Sequence, residues 1–209
     1  MLTLLHTSPV HVPVFDALRD TEHPGLALRH VVDESLLTRA RAEGPESVAQ
    51  DIAAALAPAV AEGTTAVLCT CSTIGEVAEK TSAVLGVPVL RVDRPMAAAA
   101  AAAGRVVVVA ALESTLEPTA ALIRQEAAGR PVDLRMVLVE GAWERFEAGD
   151  RDAYLDMVAA AVDGVSGADV VVLAQASMAD AADRTTCAIP VFSSPRPGLN
   201  AAAAAAAAI

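Results

Sequence analysis

The chain has 209 residues and a formal net charge of −11, an acidity that repels phosphate backbones and argues against nucleic acid as a partner. Hydrophobic residues make up 54% and charged ones 20%, enough for one large or two small packed domains; with aromatics at only 2%, packing must rely on alanine and aliphatic side chains. Met1 to Leu5 lacks the basic lead of a secretory signal, no apolar run has membrane-spanning length and character, and three cysteines make no disulfide framework, so a cytoplasmic protein with no membrane partner is expected.

Short apolar runs alternate with longer helical patterns. Leu2 to Leu5 and Leu26 to Val32 read as strands, Pro45 to Ala61 as a helix, Thr65 to Thr70 as a strand, Gly75 to Leu85 as a helix and Val87 to Val92 as a strand. Beyond Pro95 the series resumes. Arg105 to Ala111, Val132 to Val139, Asp169 to Ala174 and Ile189 to Phe192 read as strands, with Pro118 to Ala128 and Arg151 to Val165 as helices. Several strands lack strict alternation, which suits burial on both faces of a parallel sheet, and the βα order argues for an α/β fold. The closing alanine run, Ala201 to Ile209, reads as the start of a helix that packs back on the first half.

One segment occurs twice. Ala66-Val67-Leu68-Cys69-Thr70-Cys71-Ser72 aligns with Val170-Val171-Val172-Leu173-Ala174-Gln175-Ala176. Further on, Glu76 matches Asp180, Ala78 matches Ala182, Glu79 matches Asp183 and Lys80 matches Arg184. Both copies then reach Pro-Val (Pro88-Val89 and Pro190-Val191) and Arg-Pro (Arg94-Pro95 and Arg196-Pro197). The repeat predicts two pseudo-symmetric three-layer α/β/α halves, each with a mostly parallel four-stranded sheet, and an active site in the cleft between them. The first half is expected over 1–95 plus 193–209, the second over 96–192.

Ligands of open parallel sheets bind beyond the carboxyl ends of the strands. Cys71, Ser72 and Thr73 fall just past the third strand and before a helix, where backbone N–H groups favour an anion and lower a thiol's pKa. Cys71 reads as an inert buried cysteine or as a reactive thiol, and its place at a strand-to-helix turn mirrored in the second half favours the reactive reading. Cys69 and Cys187 read as packing, Cys187 also as a loop thiol. Cys69-Thr70-Cys71 has no second Cys/His pair at zinc spacing, so no metal site is expected.

The mirrored turn offers Gln175, Ala176 and Ser177 to a carboxylate or amide, and Gln175 is neither acid nor base. His6, Thr7 and Ser8 follow the first strand; Glu113, Ser114 and Thr115 follow the first strand of the second half. The hydroxyls of Ser8 and Thr115 suit carboxylate binding. His6 reads equally as a second acid/base or as a capping or packing residue, and His23 and His30 look peripheral. Asp33-Glu34-Ser35 reads as a rim or as a helix cap, and Trp143 as a cover for the site or as core filler.

At these residues the chain resembles the aspartate/glutamate/hydantoin racemase superfamily over nearly its whole length. Cys71-Ser72-Thr73 is similar to the family's first cysteine motif, Cys-Asn-Thr or Cys-Ser-Thr. Leu173-Ala174-Gln175-Ala176-Ser177-Met178-Ala179-Asp180 resembles the hydantoin-racemase stretch Leu-Gly-Cys-Ala-Gly-Met-Ala-Asp, so Gln175 stands where the second catalytic cysteine belongs. Thr115 matches the family's threonine in the first loop of the second half. The resemblance implies two α/β halves, no cofactor, a homo-oligomer, and two thiols working on opposite faces of a small carboxylate or amino-acid-like substrate. Three readings remain open at this point. One is a racemase or isomerase acting at an α-carbon through a Cys71 thiolate, a second is a single-cysteine decarboxylase or lyase on the same scaffold, and a third is a small-acid-binding protein without turnover. A nucleotide binder is disfavoured because neither glycine-rich fingerprint occurs.

Overall fold

The structure is a computed structural model that describes residues 1–208. Its elements run β1 (Leu2–His6), α1 (His11–Glu22), β2 (Leu28–Val32), α2 (Glu34–Glu43), α3 (Ala49–Ala61), β3 (Ala66–Cys69), α4 (Gly75–Lys80), α5 (Ser82–Leu85) and β4 (Val89–Arg91). They continue with α6 (Arg94–Ala101), β5 (Arg105–Ala110), α7 (Leu116–Ala127), β6 (Asp133–Leu138), α8 (Ala142–Glu147), α9 (Arg151–Asp163), β7 (Val170–Leu173), β8 (Val191–Phe192) and α10 (Pro195–Ala207). Two compact units result, Met1–Val92 with Pro195–Ile209, and Asp93–Ser194.

Each unit holds a four-stranded, all-parallel sheet. The first has the order β2-β1-β3-β4 and the second β6-β5-β7-β8, the same topology in both. Equivalent registers recur: Leu5 pairs with Cys69 in the first sheet and Val109 with Leu173 in the second. Strand β1 is buried at every position, as are β3 and β7, because helices cover both faces. That double burial is why these strands read as unbroken apolar runs.

In the first unit Leu5, Val67 and Cys69 face Leu36, Ile52, Leu56 and Val77 from α2, α3 and α4. On the other face Leu2, Leu4, Ala66 and Leu68 meet Phe15 of α1 and Leu199 and Ala202 of α10. In the second unit Val107, Val109, Val171 and Leu173 pack on Tyr154, Leu155 and Val158 of α9, while Val106, Val108, Val170 and Val172 pack on α6 and α7 through Met96, Ala100, Leu122 and Ile123.

The differences from the sequence expectation are local. Helix α1 carries no side-chain cap and buries only Phe15 completely, so its periodic signal is faint. Asp33 accepts the Ser35 N–H at 3.0 Å and caps α2, which settles the Asp33-Glu34-Ser35 turn as a helix start. The Gly75 to Leu85 helix breaks at Thr81, whose hydroxyl donates to the Ala78 carbonyl at 2.7 Å. The last helix begins at Pro195 rather than Ala201; Ile209, the last residue of the expected helix, lies outside the described residues. Proline suits a helix's first turn, and Gly198 lets α10 press on the chain after β4, where an added Cβ would lie 2.4 Å from the Val92 carbonyl oxygen. Among the described residues no helix is long and apolar enough to cross a membrane.

Candidate functional site

In the first unit the carboxyl edge of the sheet carries the candidate thiol. The Thr70 N–H donates to the Leu5 carbonyl at 3.0 Å and so continues the β1–β3 pairing one step beyond β3; Cys71 follows. Cys71 is half-buried at the rim of the Leu5–Ile74 cluster, Ser72 and Thr73 are buried, and Cys69 is fully buried within β3. No disulfide joins the three cysteines. Helix α4 starts only at Gly75, after the Ser72–Ile74 turn, and has six residues. A helix field fades within its first turn, so the thiol draws less from α4 than the sequence suggested.

His6 and Ser8 belong to the same edge. Ser8 is half-buried in the turn before α1, and its carbonyl accepts the His11 N–H at 3.4 Å. His6 is fully buried with both ring nitrogens engaged, Nδ1 with Thr70 Oγ1 at 2.8 Å and Nε2 with His30 Nδ1 at 2.9 Å. Burial, with His11 and His30 nearby, pushes its pKa down to about 3. Burial alone brings His11 down to about 4. A buried imidazole with both nitrogens engaged suits the packing reading that the sequence left open for His6 beside an acid/base role.

His30, which its sequence position suggests is peripheral, is largely buried. It stacks on His6 with centroids 5.1 Å apart, and its Nε2 reaches Asp16 Oδ1 at 3.3 Å. His30 pairs with Leu4, one pleat from His6 on the face α1 covers, a register that the sequence does not reveal. His23 is peripheral, meeting Asn200 Oδ1 at 2.7 Å.

In the second unit the equivalent edge carries amide and hydroxyl groups. Gln175 is half-buried, directly after the β7 edge residue Ala174, whose N–H donates to the Val109 carbonyl at 2.9 Å. Its Oε1 accepts the Ala111 N–H at 2.7 Å, while its Nε2 is buried with no partner. Ser114 Oγ, in the turn after β5, is likewise buried and unpartnered, and Thr115 beside it is buried. Ala176 opens a 3-10 turn over Ala176–Asp183. Ser177 Oγ lies 2.8 Å from the Tyr154 hydroxyl, and burial raises the Tyr154 pKa, so this phenol stays protonated. Trp143 lies on α8, half-buried, bonded to Glu147 at 2.7 Å and stacked on Phe146.

The repeated charges of the two turns belong to the surface. Lys80 pairs with Glu46 and Glu76, and Arg184 with Asp152 and Asp156. Among the described residues no group of three or more His, Cys, Asp or Glu side chains could hold a metal ion.

Two parallel sheets of one strand order, each sandwiched by helices and edged with polar turns, define an α/β protein built from a repeated half. The sequence matches the Asp/Glu/Hydantoin racemase family over residues 12–208, and the chain belongs to that family. No curated protein matches it in sequence. Its fold is similar to that of glutamate racemase from Thermus thermophilus, with a TM-score of 0.73 at 18% identity over 99% of this chain and 80% of that one. Aspartate racemase from Picrophilus torridus gives a TM-score of 0.71 at 14% identity, covering 99% and 94% of the two chains. A mutant arylmalonate decarboxylase gives 0.65 at 17% identity, covering 99% and 93%. At these identities the likeness is one of fold.

Proposed function

We propose that the protein is a cofactor-independent enzyme of the racemase and isomerase type that moves a proton at the α-carbon of a small carboxylate or amino-acid-like substrate. The observation that carries this reading is Cys71, a half-buried cysteine at the carboxyl edge of β3, in a chain whose other strand cysteine, Cys69, is sealed. Cys71 acts as thiolate base. Ser8, Ser72 and Thr73 of the same unit supply hydrogen bonds to the substrate, and Thr115, Gln175, Ala176 and Ser177 make the equivalent polar edge of the second unit, suited to a carboxylate or amide. The racemases of similar fold lend the reaction type.

A second reading has its own support. Inverting a stereocentre by two bases takes a proton acceptor on one face and a donor on the other, and Gln175 is neither. A single thiol suffices to protonate a carbanion after carbon dioxide leaves, and an arylmalonate decarboxylase shares the fold. Decarboxylation or another one-base step is therefore the runner-up.

The test is proton NMR in D₂O of dicarboxylates, amino acids, hydantoins and malonates with wild type and Cys71→Ser. Exchange or inversion at an α-carbon, lost in the variant, supports proton transfer by the thiol. Loss of carbon dioxide moves the protein to the second reading. Tight binding without turnover by wild type sinks both and leaves a small-acid-binding protein.

A further inference from the structure

Each sheet ends in two edge strands, and three of these four edges are short or partly covered. Strand β4 has three residues and β8 two, while β2 has five and is fully exposed only at Val32. Strand β6 differs. It has six residues, four of them exposed, in an unbroken register with β5 from Arg105–Asp133 to Ala110–Leu138. Of the five large apolar side chains exposed among the described residues, Met136 and Leu138 are both on this strand, 44% and 38% exposed.

The backbone of β6 is bare on one side. The Asp133 N–H donates to the Gly104 carbonyl and the Val139 N–H to the Ala110 carbonyl, both at 2.8 Å, so the odd-numbered residues turn their backbone groups to β5. By the two-residue repeat, Leu134, Met136 and Leu138 turn theirs outward, where the sheet has no further strand.

We propose that β6 pairs with β6 of a second copy of this chain, antiparallel and about a two-fold axis at Leu134. The pairing stands apart from the Cys71 reading and uses only the second unit.

Charge selects that register. Asp133 and Arg135 lie on the α9 side of the sheet, beside Arg105 and Val107 of β5. Among the described residues neither joins an ion pair: Arg105 is held by Asp169 at 2.6 Å, and Arg135 gives an N–H to the Ser166 carbonyl at 3.0 Å. Centring a β6 pair on Asp133 or Arg135 sets like charges face to face. Centring it on Met136 sets Arg135 against Val137 and Asp133 against Val139. Centring it on Leu134 sets Asp133 of each copy against Arg135 of the other, in the closer, non-hydrogen-bonded class of cross-strand pair. Met136 then faces the partner's Val132. A recess of about 150 Å³, lined by Val107, Gly167 and Ala168 beside Asp133 and Arg135, gives the partner's guanidinium room. Charges blunt a sheet edge when pairing would leave them unmatched; these two match in a two-fold pair. The net charge of −11 opposes self-association, and salt screens that opposition. So short a ladder buries less than a standard interface, and the dimer is therefore reversible.

Sedimentation velocity of the full chain in about 0.15 M salt, over about 1–200 µM, reads the equilibrium. Wild type is expected to pass from monomer to dimer across that range. Arg135→Asp sets carboxylate against carboxylate at both pairs, and the dissociation constant should rise about tenfold or more. The double variant Asp133→Arg with Arg135→Asp restores opposite charges and should return it to within about threefold of wild type. Met136→Pro tests the same edge without touching a charge: it removes an outward N–H and no bond to β5, so it should weaken the dimer while the fold holds. Urea unfolding of each variant checks the fold. A monomer at every concentration, an oligomer other than a dimer, a folded Arg135→Asp or Met136→Pro that dimerises like wild type, or a double variant as weak as the single one each overturn the pairing.

Discussion

Gln175 takes the Ala111 N–H on its side-chain oxygen at 2.7 Å, and this bond decides which end of the amide is left over. A backbone N–H only donates, so oxygen must face it, and Nε2 with its two protons remains buried and unpartnered. An unmet buried donor costs about 1–3 kcal/mol, and an oxygen of a bound anion would offset that. Gln175 therefore presents a fixed hydrogen-bond donor.

Exchanging that donor for a charge should separate binding from folding. In Gln175→Glu one carboxylate oxygen still accepts the Ala111 N–H, while the other faces the ligand as an acceptor. We expect the fold to hold and the affinity for malonate, or for whichever small carboxylate the panel yields, to fall about ten- to a hundred-fold, the worth of one hydrogen bond to a charged group. Calorimetric titration of both proteins measures it. Equal affinities would remove Gln175 from the binding site.

The cysteines should differ in reactivity. Cys69 is fully buried in β3, whereas Cys71 is half-buried. Iodoacetamide on the native protein should label Cys71 well before Cys69, which waits for unfolding. Peptide mass spectrometry over a time course reads both rates. Labelling of Cys69 as fast as Cys71 would mean that the β3 edge opens freely.

Much of this was legible in the chain. The double-buried strands stood out because Val106 to Ala110 and Val170 to Leu173 have no solvent face and hence no polar alternation. The repeat gave the two matching turns because Cys71 and Gln175 follow equivalent strands. The Asp16–His30–His6 chain was not legible, since it depends on the β1–β2 register and on α1, a helix without a side-chain cap. The Gln175 amide was half legible: its type was evident, but its orientation depends on the Ala111 N–H across the sheet.

Acid should destabilise the protein through two histidines. His6 and His11 have folded-state values of about 3 and about 4, below the unfolded value of 6.5. Between the folded and unfolded values only the unfolded chain takes the proton. Stability is thus unaffected by these groups above pH 6.5 and declines as pH falls toward 4 and then 3. Each contributes a slope of up to about 1.4 kcal/mol per pH unit. Urea unfolding of wild type and His11→Gln from pH 7.5 to 4.5 measures the decline, which should be shallower in the variant. Parallel curves would show that His11 takes up its proton equally in the folded and unfolded chains.

Gly198 offers a test in which two physical effects have opposite signs. It lies in the first turns of α10, where helix propensity alone would make Gly198→Ala stabilising by about 1 kcal/mol. The added Cβ, however, would sit 2.4 Å from the Val92 carbonyl oxygen and 2.6 Å from Val92 Cγ2, and backbone cannot step aside as a side-chain tip can. Relieving the clash means lifting α10 from the chain after β4 and loosening Leu199 and Ala202 from Leu4 and Leu68. Overpacking of this kind costs about 1–3 kcal/mol, so a net loss of stability is expected. The exposed Ala204 provides the control: Ala204→Gly should lose about 1 kcal/mol by propensity alone. If Gly198→Ala instead raises the urea midpoint, α10 does not lie against Val92 as tightly as described.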